Sequence, residues 1–263
     1  MNEQSPTKIN QGPHSLPDPA TGKHCASDVA RTTRCLSDGQ SVCRGQSTAG
    51  SKKDMSYWLD LMDAQLRQAY LESTRALVAT VEAKDCFTKQ HSARVSRFSR
   101  QIALRLGLSR ADVVSIVTAA RLHDIGKIGV PDAILNKLGP LTKEEWAVIR
   151  RHPSVAFEIL GHTTFLKREA PLILHHHERH DGTGYPSGLA GEQIPLGARI
   201  LNVADSLDAM ISRRSYKEAL SLPRAGMELR YCSGRQFDPV VVEATLDWLE
   251  ETGDAVAAEC APL

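Results

Sequence analysis

The sequence predicts an all-α fold, and three observations predict it. Apolar residues recur at threes and fours from about residue 56 almost to the end, the period of helices with one buried face. Helix-start signals punctuate that period: Ser109 before Arg110-Ala111-Asp112, and Thr142 with Glu145 three residues on. Strand signals are nearly absent; the short apolar run 200–203 is the best, and it is rejected as a strand. With 263 residues the chain is one large domain, or one domain and an appendage.

Each element follows in order. Residues 1–54 are rich in Ser, Thr, Gly, Pro and Gln, with only isolated large apolar residues. Such a stretch buries too little surface to offset its ordering entropy, so a disordered tail is expected. Met55 stands as an alternative start. Leu59, Met62, Leu66, Tyr70, Leu77 and Val81 then mark a long helix over 56–83, within an N-terminal helix or linker unit of 55–85. That helix either pairs with a second copy or packs on its own domain. The main domain is expected over 86–252, with a C-terminal tail at 253–263. Its helices are read at 95–106, 111–124, 142–160, 171–178, 197–213, 222–232 and 239–250. The stretch 181–195, full of Gly and Pro, is read as a loop.

Composition sets outer limits. Apolar residues make up 41% and charged residues 24%, ordinary values for a globular chain. Lys and Arg total 32 against 31 Asp and Glu, a formal charge of +1, so no global field favours DNA. No apolar stretch approaches the roughly 18 residues of a membrane helix, and the start lacks a signal-peptide pattern. A cytoplasmic protein is expected. The six cysteines show no C-x-x-C pair and are read as free thiols. A zinc site at Cys25, Cys35 and Cys43 with His24 is disfavoured, because zinc modules pair their ligands more tightly.

The chemistry lies in the histidines. Eight of the ten fall between 91 and 180. A lone histidine is usually an ordinary polar residue, and an adjacent His-Asp pair also occurs by chance on surfaces. Here His123-Asp124-Ile125-Gly126-Lys127 ends an apolar helix. An imidazole beside a carboxylate suits Fe, Mn or Zn, and a nearby lysine suits a phosphate. A second string, His175-His176-His177-Glu178-Arg179-His180, runs into Asp181-Gly182-Thr183-Gly184-Tyr185-Pro186, where glycines permit a tight turn. A third places Asp205 and Asp208 three apart on a helix; the plain expectation is one ligand and one solvent-facing or capping residue.

Together the strings H-D-I-G-K (123–127), H-H-E-R-H-D-G-T-G-Y-P-S-G-L (176–189), I-P-L-G-A-R-I-L-N-V-A-D (194–205) and G-R-Q-F-D-P (234–239) resemble the HD-GYP domain family. These are bacterial cyclic di-GMP phosphodiesterases within the HD metal-hydrolase superfamily. The match covers about residues 70–250. The resemblance implies a single HD-type helical domain and a metal ligand set of His91, His123, Asp124, His152, His176, His177 and Asp205. Asp124 is expected to bridge two metals. His175 is then an extra histidine, a one-residue slip onto His175-His176 being the rival register. Lys127 is expected beside the metals as a catalytic and substrate-binding group. Arg214 and Lys217 match phosphate-holding positions. Tyr185 is expected to shape the site or meet a partner. His162 and His180 match no ligand position.

Departures from the family pattern refine this. Phe87 stands where some members carry a third-metal glutamate, so two metals are expected, Fe or Mn. Ala156 replaces a common glycine. Arg213 and Ser215 flank Arg214 in place of Asp and Pro, adding positive charge that bears on substrate preference. The resemblance implies hydrolysis of cyclic di-GMP to linear pGpG and/or GMP. The alternatives are another cyclic or linear dinucleotide, or a low-turnover module binding a dinucleotide or protein. A homodimer through 56–83 and a signalling partner at the GYP loop complete the expectations.

Overall fold

The structure, a computed structural model, describes residues 49–84, 90–212 and 218–260. Residues 1–48 of the predicted tail, its cysteines, Phe87, Arg213, Arg214, Ser215 and Lys217 lie outside the described residues, whereas 49–54, read as tail, are helical. Backbone contacts divide the chain after Ser51, and the unit 52–263 holds the site.

Ten α-helices run in order among the described residues: α1 Ala49–Lys84, α2 His91–Arg105, α3 Arg110–Leu122, α4 Asp132–Leu135, α5 Lys143–Ile149, α6 His152–Gly161, α7 Glu169–Leu174, α8 Leu196–Ile211, α9 Leu222–Cys232 and α10 Pro239–Cys260. Three short 3-10 turns and two isolated β-bridges accompany them there. The all-α expectation is borne out. No helix among the described residues is long and apolar enough to cross a membrane.

α8 is the centre. Ala198, Ile200, Leu201, Val203, Ala204 and Leu207 are buried on every side of it, the mark of a helix enclosed by others. The apolar run 200–203 therefore belongs to this central helix. α2 packs on α8, α3 and α10. Its buried Val95, Phe98 and Ile102 keep the predicted threes and fours. Ser109 caps α3 by accepting from the Asp112 N–H, and Thr142 with Glu145 forms the expected capping box on α5.

Three further boundaries differ from expectation. The single helix 142–160 is two, α5 and α6. Pro153 has no N–H to give the Ile149 carbonyl, and the His152 ring takes that carbonyl at 2.8 Å instead. The helix expected over 171–178 is α7, which ends at Leu174, so His176 and His177 lie on a turn. α10 continues to Cys260, well into the segment read as a tail.

A cavity of about 640 Å³ lies under α1, lined by Tyr70, Thr74 and Val78 with Val113, Val117 and Thr118 of α3. None of the predicted ligands lines it.

Candidate metal centre

Three helix ends converge on one point. The last carbonyls of a helix have no intrahelical donor. After α3, α5 and α7 a histidine supplies one: His123 Nδ1–H donates to Ala120 O at 2.7 Å, His152 to Ile149 O at 2.8 Å, and His176 to Ile173 O at 2.6 Å. A carbonyl only accepts, so Nδ1 carries a proton, and in the neutral ring that tautomer leaves the lone pair on Nε2. One local device thus closes three helices and aims three ligand atoms inward.

The histidines and carboxylates form two triads. His91, His123 and Asp205 make one; His152, His176 and His177 make the other. Within each, one ligand atom per residue lies within 4.8 Å of the others. Asp124 sits between them. Its Oδ2 is 3.5 Å from His123 Nε2 and 3.8 Å from His91 Nε2, and its Oδ1 is 3.7 Å from His152 Nε2. One carboxylate oxygen faces each triad. Asp205 Oδ1 lies 3.3 Å from His91 Nε2. The structure therefore gathers all seven candidate ligands. His175 is elsewhere, its Nδ1 3.6 Å from Glu178 Oε1, so the geometry selects the His176-His177 register.

The set fits divalent metal ions. The donors are imidazole nitrogens and carboxylate oxygens, the mixture Fe, Mn or Zn accepts. The protonation pattern agrees for one triad. Burial and neighbouring imidazoles hold His176 well below its ordinary range and push His177 down to about 3, so both are neutral donors near neutral pH. Burial would also raise Asp124, but Lys127 and the surrounding histidines hold it well below the usual carboxylate range. His91 is the opposite case. Burial opposes its proton, yet hydrogen bonds to Asp205 and Asp208 push its pKa up to about 10.

A prediction follows for His91. In the metal-free protein at neutral pH it holds a proton on Nε2 that a metal must displace. Uptake there should release about one proton, and affinity should rise with pH below about 10. Calorimetric titration with Mn(II) in buffers of different ionisation enthalpy reads this directly; a heat independent of buffer would contradict it.

Lys127 rides on the 3-10 turn Ile125–Gly129 and places Nζ 2.8 Å from Asp124 Oδ2. Tyr185 stacks on His177, ring centroids 4.9 Å apart, and the exposed Arg150 guanidinium lies over the Tyr185 ring at 5.4 Å from its centroid. Burial keeps the Tyr185 hydroxyl protonated, raising its pKa well above the ordinary value.

The loop that carries Tyr185 is pinned from below. Glu178 Oε1 accepts from Ser187 N–H at 2.7 Å, and Asn202 holds the Glu178 carbonyl at 2.6 Å. Gly184 lies against that same backbone, where a Cβ would stand 2.3 Å from Arg179 N. The string G-R-Q-F-D-P supports the loop: carbonyls of Arg235 and Gln236 accept from Asp181 and His180 N–H, and Asp238 pairs with Arg199. Its part is scaffolding.

Reasoning from sequence missed Asp208, Arg94 and Arg150. Asp208 is not solvent-facing but 1% exposed, hydrogen-bonded to His91 and Arg94. Its spacing from Asp205 was the available signal. Arg150 carried none.

Comparison with known proteins decides the family. A family profile described as "HD domain" matches residues 75–241. The chain belongs to the HD domain family. All seven HD-domain candidate ligands fall inside those residues, and the resemblance drawn from the four strings is borne out. The chain is 45% identical over 177 residues to the cyclic di-GMP phosphodiesterase response regulator RpfG of Xanthomonas campestris, covering 66% of this chain and 47% of that protein. It is 36% identical over 188 residues to the 3'3'-cGAMP-specific phosphodiesterase 2 of Vibrio cholerae, covering 71% and 36%. The chain thus spans half or less of the length of these relatives. An HDG"Y"P protein of Bdellovibrio bacteriovorus shares the HD fold, with a TM-score of 0.50 at 22% identity over 61% of this chain and 51% of that one.

Proposed function

We propose that the chain is a metal-dependent phosphodiesterase that hydrolyses cyclic di-GMP to linear pGpG and/or GMP in the cytoplasm. The observation that carries this is Asp124, one carboxylate oxygen turned to each of two ligand triads. Bound divalent ions, Fe or Mn, would lower the pKa of water to about 7 and offset charge on the phosphate. His91, His123 and Asp205 would hold one ion, His152, His176 and His177 the other, with Asp124 between them. Lys127, held against Asp124, would set its ammonium beside the substrate phosphate. Tyr185, flat on His177 and kept neutral, would offer its ring and hydroxyl to the nucleotide. Arg214 and Lys217 would hold the phosphates. The catalytic unit is proposed to be 86–252, and the outer edge of the GYP loop a contact for a signalling protein.

The test is chromatographic. The protein, purified anaerobically and loaded with Fe(II) or Mn(II), is incubated with cyclic di-GMP beside Asp124→Ala. Substrate loss in the parent alone, with pGpG or GMP appearing, is the expected result. No turnover with both metals bound would sink the assignment. The likeness to a 3'3'-cGAMP-specific enzyme favours a second reading, that the hybrid dinucleotide is preferred; running both substrates side by side separates the two.

The homodimer is proposed through α1. Met55, Leu59, Met62 and Leu66 are spaced four, three and four, between 59% and 70% exposed, on one stripe. That 3.5-residue spacing is the seam of a coiled coil with a second copy. Buried Thr74 and half-buried Tyr70 and Val78 occupy the neighbouring stripe, packed on the domain. Met62→Glu should convert a dimer to a monomer in light scattering, with metal content unchanged. A dimer that survives the substitution would place the interface elsewhere.

A further inference from the structure

Resting on the two-metal reading above, we propose that Asp208 is a positioning residue for the metal position at His91 and makes the two metal positions unequal.

Three site histidines, His123, His152 and His176, turn Nδ1 to a neutral backbone carbonyl. His91 differs. Its Nδ1 meets the Asp208 carboxylate at 2.7 Å, a partner 117 residues away and nearly inaccessible to solvent. Asp208 is itself gripped by Arg94, whose Nε lies 2.5 Å from Oδ1 and Nη2 3.1 Å from Oδ2. The clamp is built by two helices in register. α2 presents His91 and, one turn later, Arg94; α8 presents Asp205 and, one turn later, Asp208. Asp205 meets the Nε2 side of the His91 ring and Asp208 the Nδ1 side.

A carboxylate behind a ligating imidazole fixes the ring and strengthens its donor nitrogen. The His91 position therefore has one carboxylate beside the ion and a second behind the ligand. The His152 position has three imidazoles, two backed by carbonyls and the third, His177, stacked on Tyr185. Both share Asp124. The position richer in negative charge attracts a dication with twice the charge of the proton it also attracts, so it holds the ion more firmly and fills first.

The test is stepwise Mn(II) binding to the full chain, followed by calorimetry and by the electron spin resonance of free Mn(II). The wild type should show two steps with dissociation constants at least about tenfold apart. Asp208→Asn, which keeps the shape and removes the charge, should weaken the tighter step by about 10- to 100-fold and leave the other unchanged. In a His91→Ala background the same substitution should add nothing, because the effect runs through His91. A merely structural role would lower the melting temperature of the metal-free protein and shift both steps alike. Should Asp208→Asn not fold, Arg94→Gln with Asp208→Asn removes both charges and carries the same expectation. Equal wild-type constants, or a variant with both steps intact, overturn this inference alone. A wild type that takes up no Mn(II) overturns the two-metal reading with it.

Discussion

Asp124→Ala is expected to abolish the proposed turnover of cyclic di-GMP, by about three orders of magnitude or more, and to cost the protein at least one of the two proposed metal ions. The size follows from position. Asp124 is 5% exposed and is the carboxylate that faces both triads, through Oδ2 to His91 and His123 and through Oδ1 to His152. Without it the His152 triad keeps imidazoles alone. Lys127 also loses the anion 2.8 Å away that orients it. Metal analysis after gel filtration, beside the activity assay and helical circular dichroism, separates this from unfolding. Full metal content with normal turnover would remove Asp124 from the site.

Gly126→Ala carries the largest expected loss of stability, about 3 kcal/mol. A Cβ at 126 would stand 1.9 Å from the His152 carbonyl oxygen and 2.7 Å from Ala156 N. Both atoms are backbone, so no rotamer change relieves the clash. The turn carrying Asp124 and Lys127 would have to lift off α6, drawing Asp124 away from His152. A fall in the urea midpoint at unchanged slope measures the stability term, and weaker Mn(II) binding measures the effect on the site. A shift below about 0.5 kcal/mol would mean that the turn does not sit this close to α6.

Gly126 and Asp208 mark where sequence reasoning stopped. Helical periods of α2, α8 and α9 were legible because side chains three and four apart share a face, a local property of the backbone. Ser109 and Thr142 were legible for the same reason: a cap reaches three residues. The break at Pro153 was legible in principle, since a missing N–H is a local fact, but the apolar period across 142–160 concealed it.

The site divides along the same line. His123-Asp124 and His176-His177 stood out because their strings are contiguous, and the family resemblance supplied His91, His152 and Asp205. By itself the sequence determined an all-helical domain and the residues able to bind metal. Only the tertiary structure decided how they sort into two triads, that His175 faces away, and that Asp208 backs His91. Those facts depend on how α2 packs on α8 and how α6 packs on α7 and on the turn Ile125–Gly129. Helix packing sets such distances between residues more than a hundred positions apart, and no local pattern encodes them.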